Sequence, residues 1–190
     1  MAVPVLGIFT AGQILTSDDM NETGSAVNGL GLFMIKTQTV GNAVATVTVS
    51  SAFSTDYENY RVIIEGVKSS LGGNLLINFG STTTGYYGSL YYDSYTGAST
   101  GALRRNNGAN LQCGTAENTL AEQITSMDIS NPFAAASTSL SGTYYGNAFS
   151  GWFAGTQAST TSFTSLTIRA DGGTLTGGVI RVYGYRNSYS

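Results

Sequence analysis

The chain has 190 residues, of which only 10% are charged, and its net charge at pH 7 is −3. This length fits one domain of somewhat more than average size, or one domain with a short appendage. The eight Lys and Arg residues are scattered and only Arg104 and Arg105 are adjacent, so no basic stripe is present to follow a nucleic-acid backbone. The low charge favours a chain that functions inside an assembly, because a free monomer normally needs more charge to stay in solution.

Residues 1–30 contain the one clear helix start of the chain. Thr16 is a good N-cap residue, and Asp19 follows three positions later in a variant of the capping box. The helix is expected to be short because Gly24 interrupts it. The amino terminus lacks the basic region of a secretion signal, and no apolar run approaches the length of a membrane span, so we expect neither export nor membrane insertion. These residues are predicted to form a short extended or helical anchoring segment.

From Leu32 onward the helical period disappears and strand signals recur every 8 to 15 residues or so. The pattern predicts an antiparallel all-β domain over residues 31–190, with two sheets packed face to face. Alternation places Val62 and Ile64 on an inner face, and it does the same for Leu166 and Ile168. The nine candidate strands are LFMIKTQTV, NAVATVTVS, YRVIIEGV, NLLINFGS, YYGSLYYDSY, AEQITSMDIS, NAFSGWFAG, SFTSLTIRA and GVIRVYGYR.

The sequence offers little that points to catalysis. It contains no histidine, which excludes a Ser-His-Asp triad, and its single cysteine, Cys113, lacks the partners of a zinc site or an activated thiol. The close carboxylate pairs are Asp18 with Asp19 and Asp56 with Glu58, and both fit solvated turns or a helix start better than a catalytic dyad. A Ser-Lys dyad and a long-range carboxylate pair stay open in principle. We expect no enzyme activity, no cofactor and no metal.

Tyrosine is the conspicuous residue type, with 12 copies, several of them in clusters. Adjacent tyrosines on a strand point to opposite faces, so each pair offers one ring to the core and one to the surface. Exposed rings suit stacking on sugars or contact with a neighbouring subunit, whereas buried rings simply complete the core. One cluster supplies candidate contact residues for a ligand or a subunit: Tyr86, Tyr87, Tyr91, Tyr92 and Tyr95.

Three stretches resemble segments of tailed-bacteriophage structural proteins. FTAGQILTSDDMN, from Phe9 to Asn21, is similar to an amino-terminal segment of phage tail and fibre proteins. AFSTDYENYRVII, from Ala52 to Ile64, resembles a block that follows the first long strand of phage β-sandwich domains. GGTLTGGVIRVYGYRNS, from Gly172 to Ser188, resembles their closing hairpin. With the strands between them, these stretches make most of the chain similar to virion proteins of cyanophages and related phages.

The resemblance implies a jelly-roll-like β-sandwich that is made in the host cytoplasm and resides on the virion surface. Its partners would be other virion proteins, namely capsid or tail subunits, and further copies of itself, with a trimer favoured. The expected role is that of a capsid decoration, knob or short fibre protein. The alternative is a tail-fibre or receptor-binding tip that recognises host glycans. Neither role involves nucleic acid.

The resemblance also assigns residues to these contacts. The amino-terminal segment would attach the chain to the virion. In the closing hairpin, Ile180 and Val182 would enter the core, and the outward side chains of Arg181, Tyr183 and Tyr185 would face neighbouring chains. The attachment residues are expected to be Phe9, Leu15, Thr16, Asp19 and Asn21.

Overall fold

A computed structural model describes residues 31–97, 99–119, 123–146 and 148–185. Every regular element in these ranges is a β-strand, and all pairings between strands are antiparallel. Across the described ranges no helix is long and apolar enough to cross a membrane. The all-β antiparallel prediction is confirmed. The predicted anchoring segment lies outside the described residues, and so do its attachment residues Phe9, Leu15, Thr16, Asp19 and Asn21.

Within the described ranges, fourteen strands form three sheets. The large sheet has the order β1-β14-β3-β9-β10-β11-β6-β7, the small sheet has the order β2-β12-β5-β8, and β13 pairs with β4. The strands are β1 (Leu32–Thr39), β2 (Val47–Val49), β3 (Asn59–Glu65), β4 (Lys68–Ser69), β5 (Asn74–Phe79), β6 (Tyr86–Ser94), β7 (Thr100–Gly108), β8 (Leu111–Thr115), β9 (Ile124–Ser130), β10 (Thr138–Tyr145), β11 (Phe149–Gln157), β12 (Leu166–Ala170), β13 (Leu175–Thr176) and β14 (Val179–Tyr185).

The connectivity is that of a jelly roll. Eight strands form its frame, in the chain order β1, β2, β3, β5, β8, β9, β12, β14. The first pairs with the last (β1 with β14), the second with the seventh (β2 with β12), the third with the sixth (β3 with β9) and the fourth with the fifth (β5 with β8). Nested pairing of this kind is one long antiparallel hairpin rolled into two facing sheets.

Two hairpins inserted into this frame enlarge one sheet. Strands β6 and β7 follow β5, and strands β10 and β11 follow β9. The inserted strands pair with one another through β11 and β6, so they extend the large sheet beyond β9. The small sheet gains no matching strands. The large sheet therefore overhangs the small one at β6 and β7.

The core lies between the two sheets and consists of the inward side chains of both. Ile180 and Val182 of β14 are fully buried, as predicted, and so are Leu166 and Ile168 of the small sheet. The other fully buried large side chains are Tyr60, Leu75, Ile77, Phe79, Tyr86, Leu90, Met127, Ile129 and Leu175.

Glycines in the inserted strands let the small sheet approach closely. Gly88 of β6 lies opposite Gly155 of β11, and a Cβ atom on either would stand within 3.0 Å of the Leu111 side chain. Real Cβ atoms do not approach so closely. These two positions therefore accept Leu111 of β8 from the facing sheet.

All nine predicted strands correspond to strands of the structure, but three long strands were missed. Strands β7 and β10 contain several Ser, Gly, Asn or Arg residues, and β8 is only five residues long, so the alternation of apolar and polar side chains is a weak signal in all three. The predicted closing hairpin is also wrong. Strand β13 pairs with β4, whereas β14 lies between β1 and β3 in the interior of the large sheet. Strand β14 consequently offers a neighbouring chain its outer side chains but no free backbone edge.

Candidate functional site

Strand β6 sorts the predicted tyrosines between the two faces of the large sheet. Tyr86 is fully buried, and its ring stacks against Phe79 of the small sheet. Tyr87 points outward and is 40% exposed. Tyr92 also points inward, where its ring meets Phe149 edge-on at 5.5 Å between centroids. Tyr86 therefore serves packing and has no surface for a ligand or a subunit, whereas Tyr87 does.

The outer face of the large sheet carries an exposed aromatic stack. Tyr91 of β6 and Trp152 of β11 are direct cross-strand partners, and their rings stack at 5.4 Å with an angle of 18° between planes. Tyr91 is 40% exposed and Trp152 is 59% exposed. Tyr91 covers one face of the indole, and Trp152 lines a groove together with Thr143, its partner on β10. Because more than half of the Trp152 side chain is exposed, its ring is accessible to a partner molecule.

A second stack continues the first toward the end of the sheet. The rings of Tyr95 and Tyr145 lie 5.8 Å apart with only 3° between their planes. The Tyr95 hydroxyl donates to the Gly146 carbonyl, which fixes the ring although it is half exposed. We call these four residues, Tyr91, Trp152, Tyr95 and Tyr145, the aromatic patch.

A charged cluster lies on the same outer face, on the β3 side of the patch. The Arg61 guanidinium donates two hydrogen bonds to Asp128, Nε to Oδ1 at 2.9 Å and Nη2 to Oδ2 at 2.7 Å. The Tyr185 hydroxyl donates to the same Oδ1 at 2.7 Å, and the guanidinium lies 5.7 Å from the centroid of the Tyr185 ring. Tyr185 is thus held in place by contacts within its own chain.

The hydrogen bonds within this cluster shift its pKa values. Arg61 lowers the pKa of Asp128 below its ordinary value, and Asp128 in turn raises the pKa of Arg61. Burial, followed by the hydrogen bond to Asp128, raises the pKa of Tyr185. All three groups therefore keep their usual charge at neutral pH, and the outer face presents a compensated ion pair together with a neutral phenol.

Between the aromatic patch and the charged cluster lies a shallow groove of about 410 Å³. Trp152 forms one wall, and Arg61 with Asp128 forms the other. The floor consists of small and hydroxyl side chains, including Ser126, Ser141, Thr143 and Ala154. The backbones of β11 and β3 are three strand spacings apart, or about 14 Å. The groove thus combines an aromatic face with hydrogen-bonding groups, which suits a polar ligand with an apolar side.

The other predicted contact residues lie elsewhere on the same face. Arg181 of β14 forms an ion pair with Glu65 of β3, so its charge is already compensated within the chain. Tyr183 is half-buried on the outer face, opposite Arg61 in the register of the sheet. The structure therefore gathers Tyr91 and Tyr95 into the patch and places Tyr87, Arg181 and Tyr183 outside it.

Four residues of this face were not among the predicted contact residues: Trp152, Tyr145, Arg61 and Asp128. Alternation within GWFAG places Trp152 and Phe153 on opposite faces, but nothing local says that Trp152 lies opposite Tyr91. Arg61 and Asp128 are 67 residues apart, and only the pairing of β3 with β9 brings them together. Among the described residues, no group of three or more His, Cys, Asp or Glu side chains lies close enough to hold a metal ion.

Comparisons with known proteins do not identify a family. No protein-family model matches the chain, and no curated protein matches it. The solved structures that it resembles include the infectious bursal disease virus VP2 subviral particle, at 16% identity and a TM-score of 0.13, and the Gx strain of the same virus, at 15% identity and a TM-score of 0.15. The matches cover 81% and 80% of this chain, but only 41% and 39% of the viral chains. TM-scores at this level carry no structural argument.

Proposed function

We propose that this protein is a structural component of a phage virion surface, in the role of a capsid decoration, knob or short fibre protein. The observation that carries this proposal is the aromatic patch on the outer face of a jelly roll. Tyr and Trp rings are enriched among the residues that dominate protein–protein binding energy. Jelly rolls are a common architecture of virus capsid domains. The sparse charge of the chain and its resemblance to phage structural proteins point in the same direction.

The first test is to locate the protein in purified phage particles. Quantitative mass spectrometry of washed particles should detect it at a constant ratio to the major capsid protein. A ratio that corresponds to hundreds of copies per particle indicates capsid decoration, whereas a few dozen copies at most indicate a tail position. Absence from washed particles would refute the proposal.

The second test concerns the aromatic patch. Trp152→Ala should leave the domain folded, because the ring is mostly exposed, yet it should reduce incorporation into particles by at least tenfold. The matched control is Tyr87→Ala, which removes an exposed ring from the same face outside the patch and should incorporate normally. Normal incorporation of Trp152→Ala would show that the aromatic patch does not hold the protein on the particle.

We further propose that the chain is a homo-oligomer, with a trimer favoured. A surface poor in charge supports self-association, since such surfaces resist it weakly. Sedimentation equilibrium of the full chain should give three times the monomer mass of 19.8 kDa. A mass that stays monomeric up to high protein concentration would refute self-association.

The groove favours a second candidate function, recognition of a host-surface glycan by a tail-fibre or receptor-binding tip. The free face of the Trp152 indole is available for stacking on a sugar ring. The hydroxyls of Ser126 and Thr143 and the Asp128 carboxylate lie within the same groove and can exchange hydrogen bonds with sugar hydroxyls. Polar groups that can form further hydrogen bonds, beside an exposed aromatic ring, make a suitable site for a single pyranose.

Glycan recognition is tested by the adsorption of labelled protein to host cells. Trp152→Ala and Asp128→Asn should each abolish adsorption, while Tyr87→Ala should adsorb like the unmodified chain. Free host polysaccharide should compete for the same sites. Equal adsorption of all three variants would refute glycan binding in the groove without affecting the structural role.

A further inference from the structure

A second concave site lies between the two sheets, at the end where the large sheet overhangs the small one. The cleft has a volume of about 630 Å³, which is within the range of small-molecule sites, about 300–1,000 Å³. Its apolar wall is formed by the inner faces of the inserted strands, with Leu90 and Tyr92 of β6, Leu103 of β7 and Phe149 of β11. The aromatic patch lies on the opposite face of the same sheet, so the two sites are separate.

Two residues in the lining of this cleft carry buried hydroxyls that have no hydrogen-bond partner among the described residues. They are Thr115 Oγ1 on β8 and the Tyr144 hydroxyl on β10. The Tyr144 side chain is only 4% exposed, and burial raises its pKa to about 12, so its hydroxyl stays protonated. Buried polar groups in folded proteins are normally satisfied, and leaving one unpaired costs about 1–3 kcal/mol. Two such residues in one cleft of this volume make it a candidate ligand site.

Among the described residues that line the cleft, Glu117 carries the charged side chain. Two backbone hydrogen bonds hold this residue in place, from its own N–H to Gln123 Oε1 at 2.8 Å and from Ser69 N–H to its carbonyl at 3.1 Å. Its carboxylate has neither a cation nor a hydrogen-bond donor as partner within the described residues, and partial burial raises its pKa. Within the described part of the chain, Glu117 therefore combines an anchored backbone with a carboxylate that has no compensating charge.

Glu117 and Thr115 lie close together. The Thr115 hydroxyl and Glu117 Cγ both lie within 4 Å of the point that a Cβ atom on Gly146 would occupy. The carboxylate also reaches toward the loop at Gly72, where Oε2 is 3.9 Å from the corresponding point. The Thr115 hydroxyl and the Glu117 carboxylate thus lie at the same part of the cleft, whose lining also includes the apolar wall and the polar residues Asn74, Ser99 and Asn118.

The charge of the lining selects the ligand. Among the described residues that line the cleft there is no Lys or Arg, so an anion would meet only the Glu117 carboxylate. A neutral apolar molecule would desolvate that carboxylate and leave it unpaired, which is costly. An ammonium group brings three N–H donors and a compensating charge, and cations are also attracted to aromatic faces such as those of Tyr92 and Phe149.

We propose that this cleft binds a small primary amine with an apolar body. The ammonium group lies between the Glu117 carboxylate and the Thr115 hydroxyl, and the body lies along Leu90, Leu103, Tyr92 and Phe149. This activity goes beyond the virion role and uses none of the residues of the aromatic patch. The test of amine binding therefore does not depend on the virion role.

The test compares three probes of equal length on the isotope-labelled full chain by NMR titration. n-Hexylamine should cause saturable shifts of the backbone amides of Gly72, Thr115 and Glu117. Hexan-1-ol should bind at least tenfold more weakly, and hexanoate should not bind. This comparison needs no variant, so it does not depend on how a substitution affects folding. Equal affinities for the amine and the alcohol, or shifts confined to the outer face, would overturn the proposal.

Matched variants then test whether the Glu117 carboxylate binds the amine. Glu117→Gln removes the carboxylate at nearly constant shape and should lower the hexylamine affinity at least tenfold, to the level of the alcohol. Asp93→Asn removes one exposed carboxylate from the outer face of β6 and should bind hexylamine as the unmodified chain does. Trp152→Ala should also bind normally. Unchanged affinity in Glu117→Gln, or an equal loss in Asp93→Asn, would show that general electrostatic attraction and not this site holds the amine.

Discussion

Replacing Tyr86 by phenylalanine tests how the inserted strand β6 is joined to the small sheet. The Tyr86 hydroxyl accepts a hydrogen bond from the Phe79 N–H at 2.7 Å and lies 2.6 Å from Thr82 Oγ1. The Thr82 hydroxyl donates its proton to the Phe79 carbonyl at 2.7 Å, so the Tyr86 hydroxyl is the donor in the bond to Thr82. Phenylalanine keeps the ring and its stacking on Phe79 but leaves the buried Phe79 N–H without a partner.

An unsatisfied buried donor costs about 1–3 kcal/mol. For a domain of about 150 residues or more, each kcal/mol lowers Tm by about 2–4 °C, so Tyr86→Phe should melt roughly 2–12 °C below the unmodified chain. The control is Tyr87→Phe, one residue along the strand, whose half-exposed ring points to solvent and whose Tm should change by less than about 2 °C. Chemical unfolding with urea should rank the two variants in the same order.

Equal losses of stability in the two variants would refute the alternation assigned to β6. A loss in Tyr87→Phe alone would mean that the strand is out of register by one residue, because such a slip exchanges every side chain between the two faces. The prediction therefore tests the placement of the aromatic patch as well as the hydrogen bond, since Tyr91 lies on the same face of β6 as Tyr87.

Four further predictions concern two charged residues, thiol reactivity and fluorescence. The pKa of Asp128 is lowered from its ordinary 3.8 by Arg61, so the stability advantage over Asp128→Asn should be present above pH 3.8 and shrink as the pH falls through the lowered value. The pKa of Glu117 is raised from 4.5 by burial, so Glu117→Gln should be the more stable form at neutral pH and lose that advantage below pH 4.5. Urea unfolding across a pH series measures the stability of Asp128→Asn and Glu117→Gln against that of the unmodified chain. A difference in stability that does not change with pH would contradict either prediction. Cys113 is fully buried and its pKa is raised by burial, so Ellman's reagent should react with it only after denaturation, and rapid labelling of the folded chain would contradict its position in the core. Trp152 is the single tryptophan and is 59% exposed, so acrylamide should quench its fluorescence readily in the free protein and poorly in an assembly that covers the patch.

The fold class could be predicted from the sequence because alternation of side chains along a strand is a local property. Val62 with Ile64, and Ile180 with Val182, reveal the inward face of their strands without reference to any other part of the chain. The same rule separated Tyr86 from Tyr87. It failed for β7, β8 and β10, where few apolar residues alternate and only the neighbouring strands make the segment extended.

The functional surface depended on the tertiary structure. Tyr91 faces Trp152, and Arg61 faces Asp128, only because β6 pairs with β11 and β3 pairs with β9 in one particular register. That register is set by packing against the facing sheet, for example by Leu111 over Gly88 and Gly155, and by bulges such as the one between Tyr86 and Gly88.

The cleft at Glu117 has the same origin. It exists because the two inserted hairpins extend one sheet and leave the other short, and no local pattern records that difference. Composition and alternation thus determined that this chain is a β-sandwich with tyrosines on both faces. Long-range strand pairing determined which rings stack, which charges pair and which hydroxyls remain unpaired, because those contacts join residues that are distant in sequence.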